Sequence, residues 1–177
     1  SSSCRIDILI PGEEWQLVSG GHKFTEGPAV NGAGEVFFTD IPNSRIHKIA
    51  LDGTVSLFAE QTDKANGLMF GPDGKLYFTI GCPGVGTDDS IGRAQDPSDY
   101  AGKTLRLNDD GTIPKDNPFV VNKASTPEIY TLGHRVNLGL TLNPWTKEFW
   151  VSEHGPNGGD EVNILRPAQN YGWPVVS

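Results

Sequence analysis

The sequence has almost no helix-period patterning. Along 177 residues, apolar side chains hardly ever recur at three- and four-residue steps, which excludes a helical bundle or an alternating α/β chain. No apolar run approaches the ~20 residues that a membrane-crossing helix needs. Basic residues are few and scattered, 14 Lys and Arg against 22 Asp and Glu, for a formal net charge of −8. No basic cluster offers a footprint to a phosphate backbone, so neither nucleic acid nor membrane is expected as a partner. The first residues do not read as a signal peptide, nor Ser1-Ser-Ser-Cys4 as a lipidation signal. There are only two cysteines, Cys4 and Cys82. They could pair if the first strand closes against the second repeat, or remain two buried thiols, and their number does not fix a redox compartment.

What the chain has in quantity is turn chemistry, with 22 glycines and 13 prolines. Three segments share one pattern: Glu26-Gly-Pro-Ala-Val-Asn-Gly-Ala-Gly-Glu-Val-Phe-Phe-Thr-Asp40, Asn66-Gly-Leu-Met-Phe-Gly-Pro-Asp-Gly-Lys-Leu-Tyr-Phe-Thr-Ile80, and Leu138-Gly-Leu-Thr-Leu-Asn-Pro-Trp-Thr-Lys-Glu-Phe-Trp-Val-Ser-Glu153. Each reads as a short strand opening with Gly, a Gly/Pro/Asn/Asp turn and an aromatic-rich strand, the signature of a β-hairpin. The third copy carries one extra residue, so its turn must be longer. The first two copies begin about 40 residues apart, near the blade period of a β-propeller.

The fold class is therefore all-β: a propeller of four-stranded blades, about three per chain, half of a six-bladed ring. Blade one spans about 22–60, blade two about 64–133 with long insertions at 81–101 and 109–126, and blade three about 136–177. The outer strand of blade three is missing, and the N-terminal Trp15-Gln-Leu-Val18 is expected to supply it. Half a ring leaves strand edges and channel-facing residues exposed, which predicts a homodimer that completes the ring.

The densest candidate site is the run Glu153-His-Gly-Pro-Asn-Gly-Gly-Asp-Glu-Val-Asn163, followed by Asn170-Tyr-Gly-Trp-Pro174. Carboxylates, amides and sharply turning backbone within one loop suit a hard cation such as calcium, which takes six to eight oxygens. An ordinary polar turn ahead of a strand is the plain alternative. His154 is a candidate base beside such a cation.

From about residue 69 onward the chain resembles soluble pyrroloquinoline-quinone (PQQ) dependent aldose sugar dehydrogenases. The resemblance rests on Phe70-Gly-Pro-Asp-Gly-Lys-Leu-Tyr-Phe-Thr-Ile-Gly81, Gly102-Lys-Thr-Leu-Arg-Leu-Asn108, Ile113-Pro-Lys-Asp-Asn-Pro-Phe119 and the run from Ile129 to Pro174, including Gly133-His-Arg135. It implies that Arg135, with help from Asn137, holds a quinone carboxylate. It also implies that the Gly155 and Pro156 carbonyls ligate a cofactor calcium, and that Glu161 and the Tyr171 carbonyl belong to a second one. The family's catalytic histidine falls at Lys64, and Val136 and Leu138 replace polar groups toward the quinone, so quinone-linked oxidation is not expected to survive.

Residues 15–70 resemble the gluconolactonase/regucalcin-like family, on Phe24-Thr-Glu-Gly-Pro28, Gly34-Glu-Val-Phe-Phe-Thr-Asp40, Asn43-Ser-Arg-Ile46 and Lys64-Ala-Asn-Gly-Leu68. That implies Glu26 as a metal ligand and Asn66 as a contact for a sugar or sugar lactone. Two resemblances in one chain read as a recombined or engineered chain or as a divergent member of one family. A natural protein of either kind would be periplasmic or secreted. Three functions stay open: a sugar dehydrogenase-like protein, a metal-dependent sugar lactonase, and a scaffold without catalysis.

Overall fold

The computed structural model describes residues 12–82, 92–156 and 158–175. Strands β1 (Thr25–Val30), β2 (Val36–Asp40), β3 (Arg45–Ile49) and β4 (Val55–Glu60) form one antiparallel sheet in chain order. Strands β5 (Leu68–Phe70), β6 (Leu76–Ile80), β7 (Lys103–Leu107) and β8 (Ile129–Leu132) form a second in the same way. The third has β9 (Asn137–Leu142), β10 (Phe149–Glu153) and β11 (Glu161–Ile164). This is the up-and-down order of propeller blades, and no α-helix occurs among the described residues.

The three repeats fold alike because their turn residues do the same work. Asn31, Asp73 and Asn143 each accept backbone N–H bonds on a side-chain oxygen, closing the turn from within. Asn31 N bonds Glu35 O and Gly71 N bonds Lys75 O, but Asn143 N must reach Glu148 O, one residue further. The left-handed position is held by Gly34 (φ 89°) and Gly74 (φ 72°), and in the longer third turn by Lys147 (φ 61°).

The repeats also explain how one blade grips the next. Thr39 on β2 donates its hydroxyl to Glu26 O (2.9 Å) and lies 3.2 Å from Asn66 O, stapling inner strand β1 to the start of β5. Thr79 repeats the device one blade on, accepting from Gly67 N (3.0 Å) and reaching Leu138 O (3.3 Å). Glycine opens these strands because the neighbouring backbone is too close for a side chain. A Cβ on Gly27 would meet Asn66 O at 2.4 Å, and one on Gly67 would meet Leu138 O at 2.3 Å. Between the first two sheets, Phe37 packs edge-on against Phe58 and Phe70. Between the second and third, Tyr77 meets Phe149, Leu140 and Val151.

The second sheet thus lies between the other two, and each outer sheet has one open face. On the third sheet it carries Trp150 with its ladder partner Ile164, and Ser152 opposite Val162. Ser152 stands where Thr39 and Thr79 stand, but no further inner strand meets it among the described residues. On the first sheet, Val30 and Leu57 are exposed on the face turned away from the second.

Trp15–Val18 does not supply the missing strand within the chain. It forms no strand, and Trp15 and Leu17 are almost fully exposed. Asp40 accepts the N–H groups of Lys23 and Phe24 and so holds the preceding chain on the first sheet, at the other end of the stack from β11. Cys4 lies outside the described residues, as do 83–91 of the first long insertion.

The second insertion is pinned by Arg106 on β7, a buried side chain whose guanidinium lies 5.6 Å from the Tyr77 ring centre and 5.9 Å from that of Tyr130. Its guanidinium donates to Asn117 Oδ1 (3.0 Å), Asp116 Oδ2 (2.9 Å) and Asp73 Oδ2 (2.8 Å). Asn117, also buried, returns bonds to the carbonyls of Arg106 and Pro127.

Candidate functional site

β8 ends at Leu132, and Gly133-His-Arg135 turns the chain into β9. Gly133 has φ 80°, and a Cβ there would meet Asn170 Oδ1 at 2.1 Å and Gly172 N at 2.7 Å. Glycine is needed because residues 170–173 lie directly on this turn: Tyr171 N donates to Leu132 O (2.9 Å) and Trp173 N to Gly133 O (2.9 Å). Gln95 clamps the same stretch, exchanging amide hydrogen bonds with Asn170 and donating to Trp173 O (2.6 Å).

His134 is fully enclosed by this arrangement, its ring stacked on Tyr171 with centroids 4.5 Å apart. Its Nδ1 lies 2.5 Å from Glu153 Oε1, and because an ionised carboxylate only accepts, Nδ1 carries the proton. Its Nε2 faces Thr131 Oγ1 at 2.8 Å. Glu153 also accepts from Asn163 Nδ2 (3.0 Å) and Arg135 N (3.1 Å). Burial pushes the Glu153 carboxyl up, but the His134 hydrogen bond and charge, with the Arg135 and Asn163 bonds, outweigh it and hold the group below its ordinary value.

Across the ladder, Glu153 is paired in register with Glu161. Like charges directly opposed on adjacent strands repel. Here a single amide answers both, since Asn163 Nδ2 also donates to Glu161 Oε2 (2.9 Å). Beside the pair opens a cleft of about 20 Å³ lined by Arg135, Glu153, Gly155, Pro156, Glu161 and Tyr171, a volume that suits one water or one ion. The loop is braced from inside by Asp160, whose Oδ1 accepts Gly155 N (2.9 Å). Arg135 donates to His154 O (2.6 Å) and lies 5.3 Å from the Trp173 ring centre. No carboxylate lies within ion-pair distance of its guanidinium among the described residues.

A second, larger cleft of about 570 Å³ opens where the inner strands begin, lined by Glu26, Asn66 and Leu138 with the glycines that follow them. Glu26 is the only acid lining it among the described residues.

A family model for glucose/sorbosone dehydrogenases matches residues 43–177. The chain belongs to the glucose/sorbosone dehydrogenase family. The aldose sugar dehydrogenase YliI of Escherichia coli is 43% identical over 105 residues, 59% of this chain and 28% of that protein. Quinoprotein glucose dehydrogenase B of Acinetobacter calcoaceticus is 39% identical over 142 residues, 72% of this chain and 29% of that protein. The chain thus spans less than a third of the length of these curated relatives. The solved structure of the soluble aldose sugar dehydrogenase from Escherichia coli aligns with a TM-score of 0.60 at 31% identity, over 83% of this chain and 43% of that one. A gluconolactonase from Xanthomonas campestris aligns at 16% identity with a TM-score of 0.53, a likeness of fold alone. The family match begins at residue 43 and so runs into the stretch that resembles gluconolactonases.

The residues singled out in the sequence separate into four groups. Arg135, His154, Gly155, Pro156, Glu161 and Tyr171 converge on the small cleft, and Glu26 and Asn66 on the large one. Asn137 lines neither: it is fully buried and donates to Lys103 O (3.1 Å), tying β9 to β7. Lys64 also lines neither, being exposed with φ 63° and held by its backbone N–H to Ser44 Oγ (3.3 Å). Glu153 and Asn163 lie in the loop run singled out in the sequence, and His134 in the Gly133–Arg135 motif, but their pairing around one buried carboxylate was not read there. The alternation of Glu161 and Asn163 along one strand face was the available signal.

The two carboxylates of the small cleft, with Gly155 and Pro156 of the turn beside them, are the kind of oxygen-rich lining a hard divalent cation takes.

Proposed function

We propose that this chain is the calcium-organised part of a sugar dehydrogenase-type propeller and does not oxidise sugars by itself. The observation that carries the reading is the register pairing of Glu153 and Glu161, bridged by one amide beside an ion-sized cleft. A cation there would relieve the repulsion and order the 154–160 turn. Arg135, with guanidinium N–H groups left over, would serve an anionic group at the rim, such as a PQQ carboxylate. The rest of a quinone site would have to come from outside these residues. The larger cleft at Glu26 and Asn66 is where a sugar would lie.

The residue matched to the family's base supports the inactive reading. Lys64 points into neither cleft, and an ordinary lysine, with pKa near 10.4, is a poor base at neutral pH. A metal-dependent lactonase is less favoured, since no second acid joins Glu26 in its cleft among the described residues. The two open outer faces favour pairing with a second copy. Export to the periplasm or beyond is in keeping with the family.

Calorimetric titration with calcium tests the proposal. One site per chain is expected in the native protein and none in Glu161→Gln. Absence of binding to the native chain would return the loop to an ordinary turn.

A further inference from the structure

A cluster of metal-ligand side chains sits on the first sheet, apart from both clefts. His22 lies three residues before β1, Asp40 ends β2, and His47 lies mid-β3 opposite Phe38. One ring nitrogen from each histidine and one Asp40 oxygen lie within 4.8 Å of one another. The arrangement is held from outside. His22 Nε2 is 2.6 Å from Ser19 Oγ, which leaves Nδ1 facing Asp40 Oδ2 at 3.6 Å, too far for a hydrogen bond. Asp40 is almost fully buried and is oriented by Asn43 Nδ2 (2.7 Å) and the N–H groups of Lys23 and Phe24. The walls are aromatic: Phe38 stacks on His47 at 5.3 Å and meets His22 edge-on at 5.0 Å.

One feature of this cluster calls for a cation. His47 Nε2 is buried and has no hydrogen-bond partner among the described residues, and an orphaned buried ring nitrogen is costly. It lies in the same cluster as a His22 ring nitrogen and an oxygen of the almost fully buried Asp40 carboxylate.

We propose that His22, His47 and Asp40 form a binding site for a transition-metal dication of the zinc type. Two imidazoles and one carboxylate match the mixed nitrogen and oxygen ligation of that ion, whereas calcium requires a shell of oxygens. Donors around zinc at bond lengths of about 2.0–2.2 Å lie roughly 3.3–3.6 Å apart. The His22–Asp40 separation already meets that spacing, and a modest swing of the His47 ring completes it. Three protein ligands leave a fourth position for water or an anion. Ser19 acts as the outer partner that fixes the His22 ring.

Titration of the whole chain with cobalt(II), read by the visible absorption of tetrahedral cobalt, tests this. One equivalent should develop the band, and zinc should bleach it. His22→Gln and His47→Gln should each abolish it, and Ser19→Ala should weaken binding about 10-fold. Glu161→Gln, which disables only the calcium loop, should leave it unchanged. A folded native chain that develops no band overturns the proposal, as does a band that persists in both histidine variants. Should a histidine variant fail to fold, the native chain still decides: the His22 and His47 ring signals in proton–nitrogen correlation spectra must shift on adding one equivalent of zinc, and unshifted signals refute the site.

Discussion

Replacing Arg106 by methionine should loosen the second blade in a measurable and pH-dependent way. Methionine keeps much of the stem beside Tyr77 and Tyr130 but removes every donor. Asp116 is largely exposed and returns to water at little cost. Asp73 is less exposed and keeps the Tyr77 Oη and Lys75 N bonds and a 3.7 Å ion pair with Lys75 Nζ, while buried Asn117 loses the donor to its Oδ1. A charge-assisted bond removed from a half-buried carboxylate costs about 1.5–3 kcal/mol, and an unsatisfied amide oxygen about 1 kcal/mol more. The sum, about 3 kcal/mol, corresponds to a fall in Tm of roughly 6–12 °C for a chain of this length.

The loss should depend on acid in a defined direction. For Asp73 burial raises the carboxyl but Arg106 and the Lys75 and Tyr77 bonds outweigh it, and for Asp116 the Arg106 bond dominates, so both sit below 3.8 in the fold. A depressed folded value means that the contribution is complete above about pH 4 and fades as the pH falls through the folded value. Urea unfolding at pH 7 and pH 3 should therefore show the gap between native and variant shrinking at the lower pH. Limited proteolysis should cut the variant faster within residues 115–123. A loss below about 1 kcal/mol at pH 7, or a gap that does not narrow in acid, would refute the reasoning.

Other tests address the grip between blades, the calcium loop, assembly and catalysis. Gly67→Ala drives a methyl against Leu138 O and should cost about 1–3 kcal/mol in urea unfolding, as overpacking does; a neutral result would mean that β5 and β9 can part. Calcium added to the metal-free chain at a hundredfold excess over Kd should raise its Tm, the filled site being worth about 2.7 kcal/mol, and should leave Glu161→Gln unmoved. Light scattering at micromolar concentration should report a dimer, weakened by Trp150→Glu on the open face of the third sheet, whereas a stable monomer would end that reading. Dye reduction with several aldoses, calcium and added PQQ should stay at background, and turnover by the native chain would show that a group other than Lys64 serves as base.

The all-β class, the three hairpins, the longer third turn and the gathering of Gly155, Pro156 and Glu161 in one loop were all legible in the sequence. Each follows from local rules. Turn residues declare hairpins, alternation declares strands, and residues within one short loop can hardly be far apart. The role of the repeat's Thr and Gly was not legible. Thr39 and Gly27 look like ordinary strand residues until the next blade is set beside them, and only then does the hydroxyl become a staple and the missing side chain a condition of approach.

Local sequence determined which segments become strands and where they turn, because those choices depend on near neighbours along the chain. Tertiary structure decided what the polar residues do. Asn137, read as a cofactor contact, became a buried strap between strands because the pleat turns it inward. Trp15–Val18, with strand-like composition, stayed unpaired because Asp40 tethers the chain beside it to the first sheet. Glu153 and His134, nineteen positions apart in the chain, became one buried pair. His22, Asp40 and His47 came together from a lead-in segment and two strands. Side-chain chemistry is written residue by residue, but charge partners and metal ligands are set by distance in space, which only strand register and blade packing supply.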